Sequence, residues 1–96
     1  MIRVEILGRL VKENEVKFLP NGTAMIKNTI AVNEGKDKTS FHDITMFGKV
    51  AETFAEYTKK GQMVFINDAT IRNSSYEKDG EKRYTSDIIA FSFKFC

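Results

Sequence analysis

The chain of 96 residues is long enough for one compact domain with a modest core and too short for two. Its composition, 42% hydrophobic and 29% charged, is that of a soluble globular protein, and no apolar run approaches the length of a membrane span. The formal charge of +2 is spread evenly, seven Lys/Arg against six Asp/Glu in residues 1–48 and eight against seven in residues 49–96, so net charge by itself does not point to nucleic acid.

The opening segment MIRVEILGRL alternates, with Ile2, Val4, Ile6 and Leu10 on one side and Arg3, Glu5 and Arg9 on the other. This predicts a first strand over residues 2–10, with Gly8 at a bulge or a close backbone approach. Its charges are dispersed and no apolar block leads to a small-residue cleavage site, so a signal peptide is not expected and a cytoplasmic location is. Pro20-Asn21-Gly22 marks a turn, because proline presets φ and Asn-Gly accepts positive φ. A second strand follows at about 24–33, with Ile26, Ile30 and Val32 in phase, then the polar turn NEGKDK and a third strand over 39–48.

KVAETFAEYTKKG predicts a helix, with Val50, Phe54 and Tyr57 at i, i+4, i+7, Lys59 and Lys60 in its last turn and Gly61 as the C′ residue. QMVFINDATIRNSSY reads as a long fourth strand and RYTSDIIAFSFKF as a fifth, with Ile89, Phe91, Phe93 and Phe95 in phase. Between them Asp79-Gly80 predicts a hairpin turn. Three strands, one helix and two strands is the order of an all-β, five-stranded OB-fold barrel with one α-helix between strands 3 and 4, here a single domain over 1–96. A β-grasp or a split sheet with one covering helix has the same order.

The third strand is unusually stocked. Ile44 and Met46 share a face with His42, whereas Phe41 and Phe47 share the other with Asp43 and Thr45. If the aliphatic face is the core, two phenylalanines point outward among polar residues. Exposed rings on a sheet form a platform for planar groups, and base-on-aromatic stacking tolerates any sequence because every base has a π-face. In the fourth strand Arg72, Ser74 and Tyr76 share a phase and add a guanidinium, a hydroxyl and a ring; Lys49 follows the FG turn. The plainer alternatives are that Phe47 packs under the helix, Phe41 is a subunit contact and Tyr76 pairs across strands.

One histidine and one cysteine, Cys96, exclude an intrachain disulfide and a protein-only zinc site of the usual Cys/His type. No paired-carboxylate motif or phosphate-cradling glycine loop is present, so no catalytic residue, metal or cofactor is expected, and the chain reads as a binding protein and not an enzyme.

GRL, PNGTA, AVN, FHDITMFGKVAETFAEYTKKG and GEKRYT, in order and correctly spaced from residue 1 to about 93, resemble the bacterial and phage single-stranded DNA-binding proteins of the homotetrameric OB-fold type. The resemblance implies sequence-independent binding and protection of single-stranded DNA in replication, recombination and repair. It gives stacking roles to Phe41, Phe47 and Tyr76, and phosphate contacts to Lys49, Lys60 and Arg72 and, more loosely, to Arg3, Arg9 and Arg83. His42 falls at a family position near the subunit interface. Pairing through IRVEIL, with Ile2, Val4 and Ile6, is expected to build a homo-oligomer, a tetramer made as a dimer of dimers.

The expected setting is the cytoplasm, at a bacterial nucleoid or in a phage-infected cell. The alternative is a primosomal-type accessory OB-fold protein that bridges replication proteins to DNA. Several positions depart from the family pattern. Asp43 stands where a basic residue is common, Asn67-Asp68 replaces a glycine-containing kink, and Ser74 removes a cation. No counterpart of the second-strand tryptophan is found. Weaker binding than in a typical relative is therefore expected. Members continue past the domain into an acidic tail, which this sequence does not contain, so tail-mediated partners are not expected.

Overall fold

The computed structural model describes residues 2–95, with the side chains of residues 74, 76, 83–86 and 95 outside that description. The elements are β1 (Val4–Leu10), β2 (Lys17–Phe18), β3 (Ala24–Gly35), β4 (Lys38–Phe47), α1 (Lys49–Tyr57), β5 (Met63–Lys78) and β6 (Glu81–Phe95). The sheet order is β1-β5-β6-β4-β3-β2, and a further β1–β3 pairing closes five strands into a barrel. Five barrel strands with one helix after the third of them is the expected OB-fold. The two-residue β2 adds a short edge to β3, pairing Lys17 with Met25 and Phe18 with Ala24.

The strand-forming alternation is satisfied most fully in β3 and β4. Ile26, Ile30, Ile44 and Met46 are buried, and Leu10, Val64, Ile66, Ala69 and Ala90 meet them across the barrel. Gly8 provides the expected close approach: a Cβ there would fall on the Ala31 carbonyl oxygen and on Ile30 Cγ2. The accompanying irregularity lies earlier, between Val4 and Ile6. The β5–β6 hairpin turns at Asp79 (φ 55°) and Gly80 (φ 78°), both in the positive region that a tight hairpin of this hand requires. β4 and β6 are parallel, which is possible because α1 and β5 provide the long crossover between them.

Phe54 is completely buried, and its ring meets Phe93 edge-on at 4.9 Å and 89°. This fastens α1 across the barrel, the geometry in which aromatic pairs add to simple area burial. The helix is shorter than its sequence pattern. It stops at Thr58, which is extended, and both the backbone N–H and the Oγ1 hydroxyl of Thr58 donate to the Phe54 carbonyl, at 3.1 and 2.6 Å. Lys59 and Lys60 therefore lie beyond the helix, and Tyr57 is exposed at its last position. Gly61 belongs to the following turn and donates its N–H to the Leu10 carbonyl at 2.8 Å.

Thr58 is also held from outside. Asn14 Nδ2 donates to its Oγ1 at 2.7 Å, and Asn14 Oδ1 accepts from Asn28 Nδ2 at 2.8 Å. The buried Asn28 exchanges two further bonds with the Lys12 backbone. A polar side chain at an inward β3 position is thus satisfied by the 11–16 loop, as buried polar groups require.

The second correction concerns β6. A register expected to keep Phe91 and Phe93 on one face is broken by bulges, with Ile66 opposite Phe93, Asp68 opposite Ser92 and Ala69 opposite Ala90. β5 is therefore irregular at Asn67-Asp68 without a glycine there, and the counterpart on β6 turns Phe93 inward while Phe91 stays exposed.

Candidate nucleic-acid interface

Cross-strand partners project from the same face of a sheet, so the β3–β4 register defines the surface around Phe41 and Phe47. Ala31 faces Phe41, Thr29 faces Asp43, Lys27 faces Thr45 and Met25 faces Phe47. The rows extend sideways, because Arg9 of β1 pairs with Ala31 and Lys17 of β2 pairs with Met25. Two rows result, Arg9–Ala31–Phe41 at one end and Lys17–Met25–Phe47 at the other, with Lys27 between them. Phe41 is 65% exposed and Phe47 39%. Six residues of antiparallel strand separate them by about 20 Å.

The face is not uniformly open. Thr45 and Thr29 share it yet are buried, and Thr29 Oγ1 donates to Asp43 Oδ1 at 2.7 Å. Beside them a depression of about 180 Å³ is lined by Lys12, Lys27, Asp43 and Asp87, among others. Two carboxylates thus interrupt the cationic run at its centre. The outward expectation for Phe41, Asp43 and Phe47 agrees with their exposure, whereas Thr45 points outward only in register.

Lys49 is exposed at the first position of α1, two residues beyond Phe47. Lys60 is exposed in the turn after α1, and Arg9 reaches that turn by donating from Nη1 to the Gly61 carbonyl at 3.1 Å. Arg9 and Lys60 therefore stand at one end of the platform. Arg72 is exposed and pairs in register with Asp87. Arg3 lies apart, on the β1–β5 flank, 3.7 Å from Asp68. The side chains of Tyr76 and Arg83 lie outside the described residues; their backbones are register partners near the β5–β6 hairpin.

His42, half-buried on the inward phase of β4, has Nε2 2.9 Å from Ser40 Oγ. With Val4, Ile6, Val32, Ile71 and Ile88 it lines a cavity of about 280 Å³, whose rim carries Glu5 and Glu34. Ile2 is exposed beside this region, and its carbonyl accepts a hydrogen bond from Thr70 Oγ1 at 2.7 Å.

Sequence reading missed Lys27 and Lys17, which the register places beside the rings. A signal for Lys27 was available: the inward phase of Ile26 and Ile30 forces it outward, and pairing back from the NEGKDK turn sets it opposite Thr45. Lys36 and Lys38, from the same turn, line an open groove of about 560 Å³ with Arg9, Asn33 and Met63. Phe18 is also exposed, but its partner Ala24 faces inward, so that ring is off the platform.

A closed OB barrel whose outer sheet carries separated, solvent-facing rings among cations has the surface chemistry of the single-strand-binding class. The model of the single-strand binding protein family matches residues 1–96, and the chain belongs to that family. Its relatives include the single-stranded DNA-binding protein of Clostridium perfringens, 41% identical over 99 residues, which cover 99% of this chain and 65% of that protein. The single-stranded DNA-binding protein of Clostridium tetani is 39% identical over 102 residues, 99% of this chain and 70% of the relative. Single-stranded DNA-binding protein 2 of Clostridium acetobutylicum is 37% identical over 102 residues, 99% and 76% respectively. The chain therefore spans less than two thirds of the first of these relatives. Among the described residues no helix is long and apolar enough to cross a membrane.

Proposed function

We propose that this chain binds single-stranded DNA without sequence preference and protects it where replication, recombination and repair expose it. The role is binding and not catalysis, and its setting is the cytoplasm. The observation that carries the reading is the pair of exposed rings on one outer face, Phe41 and Phe47, each in a row with a cation, Arg9 and Lys17, and with Lys27 between them. Rings take unpaired bases by stacking and the cations take the phosphates between them. Lys49, Lys60 and Arg72 extend the phosphate contacts; from the hairpin, Tyr76 adds a stacking ring and Arg83 a further phosphate contact.

Titration of labelled oligo-dT and of the equivalent duplex, at two salt concentrations, tests this. Affinity is expected to be higher for the single strand. It should fall with salt at a log–log slope of about −0.7 per phosphate contact, hence about −3 if four cations engage. Equal or stronger binding of the duplex would refute the reading, because charge attraction alone would then account for the affinity.

The reading includes assembly. β1 pairs along β5 on one side but pairs with β3 only at Arg9 and Leu10, with Gly8 packed close against it, which leaves the edge of residues 4–7 open beside exposed Ile2 and Leu7. Open strand edges are sites for pairing with another chain. Pairing of two β1 strands, with Ile2, Val4, Ile6 and His42 near the contact, gives a dimer, and two dimers give the tetramer that multiplies the platform. Mass measurement in solution should return a multiple of the chain mass at micromolar concentration; a strict monomer contradicts this part.

A further inference from the structure

The outer face does not end at β4. β4 and β6 run parallel, Ile44 beside Ile88 and Thr45 beside Ile89. Phe47 and Phe91 each follow that last pair by two residues, Phe47 after Thr45 and Phe91 after Ile89. The paired register stops at Thr45 and Ile89, so the strands are no longer held together where the two rings stand. Phe91 is 54% exposed, while Ala90 before it is buried and Phe93 after it packs against Phe54. The β6 bulge therefore directs this ring outward, where unbroken alternation would have paired it with Phe93.

A single exposed phenylalanine needs no explanation. This one has a cation and a hydroxyl beside it. Phe91 lines an open groove of about 500 Å³ with Lys49 and Thr53 of α1, and Lys49 follows Phe47 by two residues. Ring, ammonium and hydroxyl match the base, phosphate and sugar of one nucleotide.

We propose that Phe91 is a further stacking ring that takes the nucleotide next to the one on Phe47, with Lys49 at the phosphate between them. The proposal rests on the single-stranded DNA reading and extends its track from β4 across to β6.

The chain contains no tryptophan, so Phe91→Trp creates a single fluorescent reporter. In the full chain, its emission is expected to be quenched in step with oligo-dT binding. Phe91→Ala is expected to lower oligo-dT affinity about five-fold or more, the lower range for loss of one stacked base, with the thermal midpoint unchanged. Emission that stays constant at saturating oligo-dT, with Phe91→Ala binding within two-fold of the unaltered chain, overturns the proposal and leaves the Phe41–Phe47 reading standing. A Phe91→Ala protein that changes its oligomeric mass at unaltered affinity also overturns it, by making the ring a subunit contact. Failure of the unaltered chain to bind oligo-dT removes both readings together.

Discussion

Alanine at Phe41 is expected to weaken oligo-dT binding by about 5- to 150-fold, corresponding to the roughly 1–3 kcal/mol of one base-on-ring stack. The thermal midpoint should stay within a few degrees, because the ring is 65% exposed and makes little of the core. Alanine at Phe47 should cost a similar factor in affinity and somewhat more in stability, since more of that ring rests on the protein. About 20 Å separates the two along β4, far enough for their effects to add when one strand spans both. A double variant no weaker than either single one would mean that a bound strand uses only one ring at a time. Equilibrium titration, with circular dichroism on the same samples, separates lost affinity from lost fold. An unfolded Phe41→Ala protein would place that ring in the core and remove the platform.

The largest effect on stability is expected at Phe54. Its ring is fully buried between the barrel and Phe93, and deleting a buried phenylalanine costs about 3–5 kcal/mol. A chain of this length has a total stability of about 5–14 kcal/mol, so Phe54→Ala removes a large share of it. Each kcal/mol lowers the midpoint of such a domain by about 4–8 °C, and a fall of at least about 12 °C in a thermal melt is the expected result. The loss should be felt beyond the helix, because Phe93 is held by Phe54 and sits next to the bulge that presents Phe91. A midpoint that moves by only two or three degrees would show that α1 does not close the barrel through this contact.

Much of this architecture follows from short-range patterns. Alternation marks the strands, Asp79-Gly80 marks a turn that needs positive φ twice, and Ile44 with Met46 settles which side of β4 is the core. Once that side is known, Phe41 and Phe47 must be outside. The features that escaped the pattern depend on partners distant in sequence. α1 ends at Thr58 because Asn14, 44 residues earlier, and the Phe54 carbonyl both engage its hydroxyl; helical periodicity continues past it. Phe91 and Phe93 separate because β6 bulges at Phe91, opposite a compensating bulge at Asn67-Asp68 of β5, and alternation within β6 gives no sign of it. Lys17 and Lys27 join the platform through interstrand register, which local composition does not reveal.

The electrostatics have the same origin. Asp43 accepts from Thr29 at the centre of the face, and Asp87 lines the same depression. Lys12 and Lys27 in that depression are thus offset by the two carboxylates, so the middle is close to neutral, while Arg9 and Lys17 lie in the rows of the two rings. Stacking at the ends with weak charge attraction between them favours a flexible single strand over a duplex, whose evenly spaced phosphates would have to lie across the carboxylates.

Stacking on outward rings is tested most directly by proton NMR of the aromatic side chains during titration with oligo-dT. The ring protons of Phe41 and Phe47 should move upfield as bases settle on them, and those of the buried Phe54 should hold their positions. Rings at Phe41 and Phe47 that keep their free-state shifts in a saturated complex would contradict the platform.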